Sequence, residues 1–302
     1  MDKKSKIILI SGATASGKSS FAIKLAKKIN GEIINADSMQ VYKELKILTA
    51  RPNSKDRKQI KHHLYGFLTI KKKFSTGQWL KLAYKTIKEI QKRNKIPILV
   101  GGTGLYFKAV IDGLVKIPKV NIKKRKKIIN IQKKLGQANF YKKLIKLDPL
   151  VKNKINSKDV QRSIRAYEVK KYSKISLIEW FKKTDKKFKD SDLMKIYIEF
   201  PRSDLIKIIN NRVDKMFREG VLNEVKKFIK LKIKKDKSSN KVIGINEIQK
   251  YFRKEQDLSL TKELIRIKTR QYAKRQSTWS RGHMFSWQKI DHKNLDSFLK
   301  KI

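Results

Sequence analysis

The chain has 302 residues, no cysteine, and 77 Lys+Arg against 26 Asp+Glu, for a net charge of +51. That length holds one large domain or two small ones; the missing cysteine excludes disulfides, a thiolate nucleophile and Cys-based zinc sites; and no apolar run approaches membrane-spanning length, so no membrane partner is expected and a cytoplasmic location is the simplest expectation. A positive surplus on this scale calls for a polyanion, nucleic acid first, although lysine-rich solvated faces are also what an AT-rich genome writes, so the arginines carry more information than the lysines.

In chain order, Ile7-Ile8-Leu9-Ile10 predicts a buried strand, too short for a signal peptide. Gly12-Ala13-Thr14-Ala15-Ser16-Gly17-Lys18-Ser19 follows and fits G-x-x-x-x-G-K-[ST] at every fixed position. Apolar residues at helical spacing then predict a helix over 20–29. A strand, a glycine loop and a helix start gather backbone N–H groups and a helix dipole around one anion. Lys18 would reach the terminal phosphates and Ser19 would ligate Mg²⁺, so a di- or triphosphate ligand is expected.

Further strands are expected at 32–35 and 96–100, with helices over 78–93 and from 105 to 111. Alternation of strand and helix implies βαβ units and a parallel sheet. From 121 to 187 only helical periodicity is present. A strand-like run at 194–200 precedes helices over 204–219, 221–232, 245–252 and 260–280. The polar stretch 232–241 is expected to be a mobile loop, and 284–287 a last edge strand. The expected fold class is α/β: a P-loop NTPase-like parallel sheet core, residues 1–120 and 190–302, with a helical insertion domain at 121–189.

Asp37 ends the strand after the phosphate loop, and in a doubly wound sheet the C-terminal strand ends line the ligand crevice. It suits a metal partner or a general base, or the N-cap of a helix. The third strand ends in Gly101-Gly102-Thr103-Gly104, without the acidic residue many ATPases place there. Thr103 is either a polar contact in the crevice or a helix cap. Arg162 and Arg165 lie three apart with Gln161 beside them and suit phosphates or base edges, or form a solvated basic face. The stretch 270–281 is the densest mix of arginine, amide and aromatic side chains, which fits nucleic-acid contact. His62-His63 lacks a third ligand and reads as structural.

Together these stretches resemble one family, the tRNA dimethylallyltransferases of bacterial type. The resemblance rests on Gly12–Ser19, Asp37-Ser38-Met39-Gln40-Val41-Tyr42, Thr49-Ala50-Arg51-Pro52, Gly101 to Phe107, Asp148-Pro149, Gln161 to Glu168, Arg212 to Met216 and Thr269 to Trp279. It implies that the phosphate loop holds the diphosphate of dimethylallyl diphosphate, with Thr14, Lys18, Arg212 and a Mg²⁺ on Ser19 stabilising the leaving group. Asp37 would take the proton from N6 of the adenine 3′ to the anticodon, in tRNAs reading codons that start with U. Asp37, Ser38, Met39, Gln40, Thr103, Gln161, Arg162, Ser163, Ile164 and Arg165 would hold the flipped base and the anticodon stem-loop, joined by Arg270, Gln271 and Arg275. A monomer is expected. Departures are Ala13 for a common proline, Met39 for a frequent arginine, no acidic residue near Gly66, and Asn156 for a common histidine. The absence of a zinc-finger stretch after the last helix is what points to the bacterial type. Two other functions compete: a P-loop small-molecule kinase, which leaves the arginine clusters without a role, and a non-catalytic RNA-binding protein, which leaves Lys18, Asp37 and Arg212 without one.

Overall fold

In the computed structural model, which describes residues 6–118, 120–234 and 237–302, the N-terminal apolar run is strand β1 (Ile7–Gly12), with every residue buried. It leads through the phosphate loop into α1 (Lys18–Lys28). Then come β2 (Gly31–Asn35), α2 (Ser54–Gln59), β3 (His62–His63), α3 (Thr76–Lys92), β4 (Ile96–Gly101) and α4 (Gly104–Asp112). The short α2 and β3 carry too few apolar residues to leave a periodic signal.

The chain divides into two units, one comprising residues up to Ile111 with Phe188–Ile302, the other Asp112–Lys187. The second unit holds α5 (Ile122–Leu147), α6 (Val160–Ser173) and α7 (Leu177–Phe181). Gly136, at φ 70°, breaks α5 into two segments. Its core gathers Ile128, Phe140, Leu144, Ile164, Tyr167 and Leu177.

The first unit resumes with β5 (Leu193–Glu199), α8 (Arg202–Arg218), α9 (Val221–Lys230), α10 (Ile245–Phe252), α11 (Leu258–His283), β6 (Gln288–Asp291) and α12 (Leu295–Lys301). The last strand is therefore β6, not 284–287: Met284 and Trp287 are buried against the core as the chain turns out of α11. Of the stretch expected as a mobile loop, residues 235 and 236 lie outside the described residues. Ser238–Lys241 is a 3-10 turn, held through Ser239 Oγ donating to Ile70 O and Lys237 Nζ to Lys71 O.

The strands run in the order β3-β2-β4-β1-β5-β6, all parallel. Alternate residues of β1 serve two layers. Ile7 and Leu9 pack with Trp79, Leu80 and Phe107 from α3 and α4. Ile8 and Ile10 pack with Phe21 and Leu25 of α1 and Leu299 of α12. A third cluster closes the site from one side: Val41, Leu45 and Leu48 from the loop after β2 meet Val213, Val225 and Ile245 of α8 to α10. Burial on both faces is why the central strands β1 and β4 read as nearly unbroken apolar runs rather than alternating ones. Among the described residues no helix is long and apolar enough to cross a membrane.

Candidate active site

Strand order brings the sequence motifs together. The phosphate loop ends β1, and Asp37 lies just past β2; β4 runs between them and ends in Gly101 and Gly102. A Cβ on Gly101 would sit 2.0 Å from Ala36 O, so only glycine lets the two strand ends close up. Ala15 and Gly17 take left-handed φ values of 66° and 76°. Alternating handedness of this kind turns successive backbone N–H groups into one concavity, an anion nest.

Two cations converge there. Lys18 Nζ donates to Ala13 O at 3.0 Å, and Arg212 Nη1 of α8 donates to Thr14 Oγ1 at 2.9 Å. Arg212 Nε is buried without a partner. Burial lowers Lys18 to about 8; the Asp37 charge opposes this and the Arg212 charge adds to it. Burial likewise lowers Arg212, with Asp37 opposing; a guanidinium stays charged regardless. The hydroxyl of Ser19, at the exposed start of α1, has no hydrogen-bond partner among the described residues.

Asp37 is set by its neighbours. Asn35 Oδ1 accepts from the Asp37 N–H at 2.8 Å, and Asn35 Nδ2 donates to Asp37 O and Leu64 O, both at 3.0 Å. Trp79 Nε1 donates to Asn35 O at 2.9 Å. The carboxylate Oδ1 accepts from the Met39 N–H at 2.8 Å. No helix follows, so Asp37 is not an N-cap. Thr103 Oγ1 accepts from the Ser38 N–H at 3.0 Å and lies 3.3 Å from Ser38 Oγ; Thr103 is thus a crevice residue tied to the Asp37 turn. Gln40 donates to Thr49 O and Ala50 O, which fixes the next turn. The hydroxyls of Tyr65, Tyr106 and Tyr272 are all pushed up, by burial first and then by the Asp37 charge. All three hydroxyls therefore keep their protons at neutral pH.

Thr14, Asp37 and Arg212 share one cavity of about 300 Å³. Its remaining wall is largely apolar: Met39, Leu48, Ile209, Val213, Met216 and Ile265 take part, with Tyr272 and Arg275 at α11. The apolar lining was not readable in the sequence: Ile209, Val213, Met216 and Ile265 follow ordinary helical periodicity, Met39 and Leu48 lie in the loop after β2, and only the fold turns them toward one cavity. Gln276 was missed too, although it lies in the stretch singled out for its amides and arginines. Its Oε1 accepts from the Thr14 N–H at 2.8 Å and its Nε2 donates to Gly102 O at 2.9 Å.

The remaining predicted residues divide between the edge of this cavity, where Arg275 lies, and other surfaces. Arg275 is exposed, its guanidinium 5.9 Å from the Tyr272 ring centre; Gln271 is exposed. Arg270 pairs with Glu263 at 2.8 Å and lines a different hollow, of about 510 Å³, with Arg202, Lys274 and Arg281. In the second unit, Gln161 and Arg162 are exposed on α6, and Arg165 pairs with buried Glu168 at 3.2 Å. Ser163 and Ile164 face that unit's interior; Ser163 Oγ donates to Asp159 O and accepts from Gln137. His63 Nε2 is 2.6 Å from Glu32 Oε2.

Comparison with known proteins agrees across the chain. A family described as IPP transferase matches residues 40–283. The tRNA dimethylallyltransferase of Pelagibacter ubique is 61% identical over 302 residues, covering 100% of this chain and 96% of that protein. The enzyme of that name from Rickettsia massiliae is 40% identical, covering 99% and 83%. The crystal structure of the tRNA isopentenylpyrophosphate transferase from Bacillus halodurans superposes with a TM-score of 0.70 at 32% identity, covering 98% and 95%. A eukaryotic dimethylallyltransferase acting on tRNA superposes with a TM-score of 0.83 at 28% identity, covering 95% and 74%.

Proposed function

The chain belongs to the IPP transferase family, and from that premise we propose how its crevice works as a tRNA dimethylallyltransferase. The donor is dimethylallyl diphosphate. The acceptor is N6 of the adenine 3′-adjacent to the anticodon, in tRNAs reading codons that start with U. The protein acts as a monomer in the cytoplasm, where that RNA is.

One observation carries the reading. The cavity joins a charged end, Thr14, Arg212 and Asp37, to an apolar wall. That division matches a ligand with a diphosphate at one end and a five-carbon chain at the other. The adenine amine is a weak nucleophile, because its lone pair is delocalised into the ring. Catalysis must therefore come from leaving-group stabilisation, positioning and proton removal. The C1–O bond of the donor breaks and its electron pair leaves with the diphosphate, which Lys18 and Arg212 receive. The N6–C1 bond forms, and the N6 proton passes to Asp37. The target base must leave its stack to reach this crevice. Ser38 and Thr103 line its approach; Gln161, Arg162 and Arg165 on the second unit, with Arg270, Gln271 and Arg275, contact RNA.

Among the described residues no group of three or more His, Asp or Glu side chains could hold a metal. The Ser19 hydroxyl, unpartnered among the described residues, would supply one oxygen. That donor set fits a Mg²⁺ carried mainly by phosphate oxygens and water, the usual way this ion is held. Bound there, it would neutralise charge on the diphosphate.

The test is a mass measurement on RNA. With Mg²⁺, dimethylallyl diphosphate and an anticodon stem-loop bearing the target adenine, the RNA gains one C5 unit in place of a hydrogen; replacing that adenine by guanine prevents the gain. An unchanged mass with folded protein would refute the proposal.

A further inference from the structure

We infer that Gln276 is a positioning residue that sets the donor half of the crevice against the acceptor half. The inference rests on the function proposed above.

The donor half is built on β1 and α8, through Thr14, Lys18 and Arg212. The acceptor half is built on the ends of β2 and β4, through Asp37, Ser38 and Thr103. Gln276 projects from α11, belongs to neither half, and bonds to both. It is 8% exposed. Its carbonyl oxygen accepts from the Thr14 N–H, and its amide nitrogen donates to Gly102 O. Each end thus meets the only partner type it can satisfy. A hydrogen-bonded chain results, from Arg212 to Thr14 to Gln276 to Gly102. The next residue, Thr103, continues it to Ser38 beside Asp37.

The surroundings are shaped for this side chain. A Cβ on Gly102 would lie 2.1 Å from Gln276 Nε2, so the close approach requires glycine. A Cβ on Gly104 would lie 2.1 Å from the Trp279 ring, one turn further along the same helix. Ala273, one turn earlier, packs against Ala13 and Ile209. Helix α11 is therefore seated on both strand ends over successive turns, and Gln276 provides the polar link between them.

Neither bond touches the transferred group, so removing them leaves both binding surfaces in place and loosens their mutual distance. Reaction rate is far more sensitive to such a displacement than affinity is. Gln276→Met keeps the length of the side chain and removes both bonds. The expected result is kcat lowered about 10- to 100-fold, with the affinities for dimethylallyl diphosphate and stem-loop RNA each within about 3-fold of wild type. Gln276→Glu supplies an independent reading. As a carboxylate it keeps the bond from Thr14 but sets an oxygen against Gly102 O; protonated, it donates to Gly102 O and restores both bonds. The ratio of its kcat to wild type should rise as pH falls from about 8 to about 5.5. The titratable or charged groups nearby are Tyr272, whose hydroxyl reaches the same amide, Arg275, and across the crevice Lys18, Arg212 and Asp37. All are common to both proteins and divide out of the ratio.

A Gln276→Met enzyme turning over within about 3-fold of wild type, or losing affinity in step with rate, would overturn the inference. If that variant does not fold, a ratio for Gln276→Glu that is flat with pH overturns it instead. Wild type assayed in parallel keeps the two ideas apart: its failure to prenylate RNA counts against the proposed function, and equal turnover of variant and wild type against Gln276.

Discussion

Two carboxylates flank the same strand and live in opposite circumstances. Glu32, near the start of β2, is 2% exposed and has three basic side chains around its carboxylate. His63 lies 2.6 Å away, Arg93 2.7 Å and Lys95 3.3 Å. Burial alone would raise its pKa, yet the hydrogen bonds from His63, Arg93 and Lys95 hold it at about 2. Asp37, just beyond the other end, has no ion pair within 4 Å among the described residues and one hydrogen bond to its carboxylate, from the Met39 N–H. The charge of Glu32 is consumed in joining β2, β3 and the entry to β4. That of Asp37 stays available at the edge where ligands enter a parallel sheet. One end of the strand spends its charge on ion pairs; the other carries a carboxylate bonded only to a backbone N–H among the described residues.

The comparison breaks most visibly through Asp37→Asn. Loss of a general base costs about 10²- to 10⁴-fold in rate. The expected outcome is a fall in single-turnover prenyl transfer of that order, with RNA affinity and melting temperature close to wild type. A parallel loss of RNA affinity would make Asp37 a binding residue and erase the contrast.

Glu32→Gln should do the reverse: kcat unchanged, stability lower by about 2 kcal/mol, a figure discounted because Arg93 and Lys95 are partly in water. The folded-state pKa is depressed, from 4.5 to about 2. The contribution is therefore fully present above pH 4.5 and is lost as pH falls toward 2. Urea titrations of both proteins should differ at pH 7 and converge in acid. A constant difference across that range would mean that packing, not charge, is what the substitution removed.

How much of this was legible depends on the distance over which each feature is specified. The phosphate loop is contiguous, so the pattern Gly12 to Ser19 could be read, and an anionic ligand expected from it, without the fold. Asp37 was found because strand ends in an alternating α/β chain have a known direction. Arg212, inside an ordinary amphipathic helix, had no local mark and came only with the family resemblance. The Glu32 cluster escaped notice, because its partners lie 31, 61 and 63 positions away, as the numbering of His63, Arg93 and Lys95 shows. Gln276 escaped for the same reason: an amide on a helix is uninformative until the fold brings Thr14 and Gly102 to its two ends. The final strand was misplaced because the apolar stretch 284–287 gave the stronger signal, whereas β6 carries one apolar residue, Ile290. Met284 and Trp287 are instead buried against α4, leaving β6 to pair with β5.

If charges at the site end are kept in reserve, the rule should extend to cations. Lys95 at the far end is committed to Glu32, whereas among the described residues the Lys18 ammonium has only the Ala13 carbonyl as a hydrogen-bond partner and is lowered to about 8, by burial first. In the unfolded chain its ordinary value is 10.5. Holding it charged therefore costs the free protein stability below about pH 8, and that cost is relieved as pH rises toward 10.5. An incoming diphosphate has the opposite effect: its negative charge favours the ammonium form and raises the pKa. Binding at pH 8 to 9 should accordingly take up as much as one proton, and affinity should weaken as pH rises through about 8, by less than about tenfold per pH unit. Calorimetry in two buffers of different ionisation enthalpy measures the proton directly, and Lys18→Met, lacking the group, should show weaker binding without the uptake. Equal uptake by both proteins would assign the proton to the ligand and show that Lys18 is already fully charged in the free crevice, no less committed than the cations around Glu32.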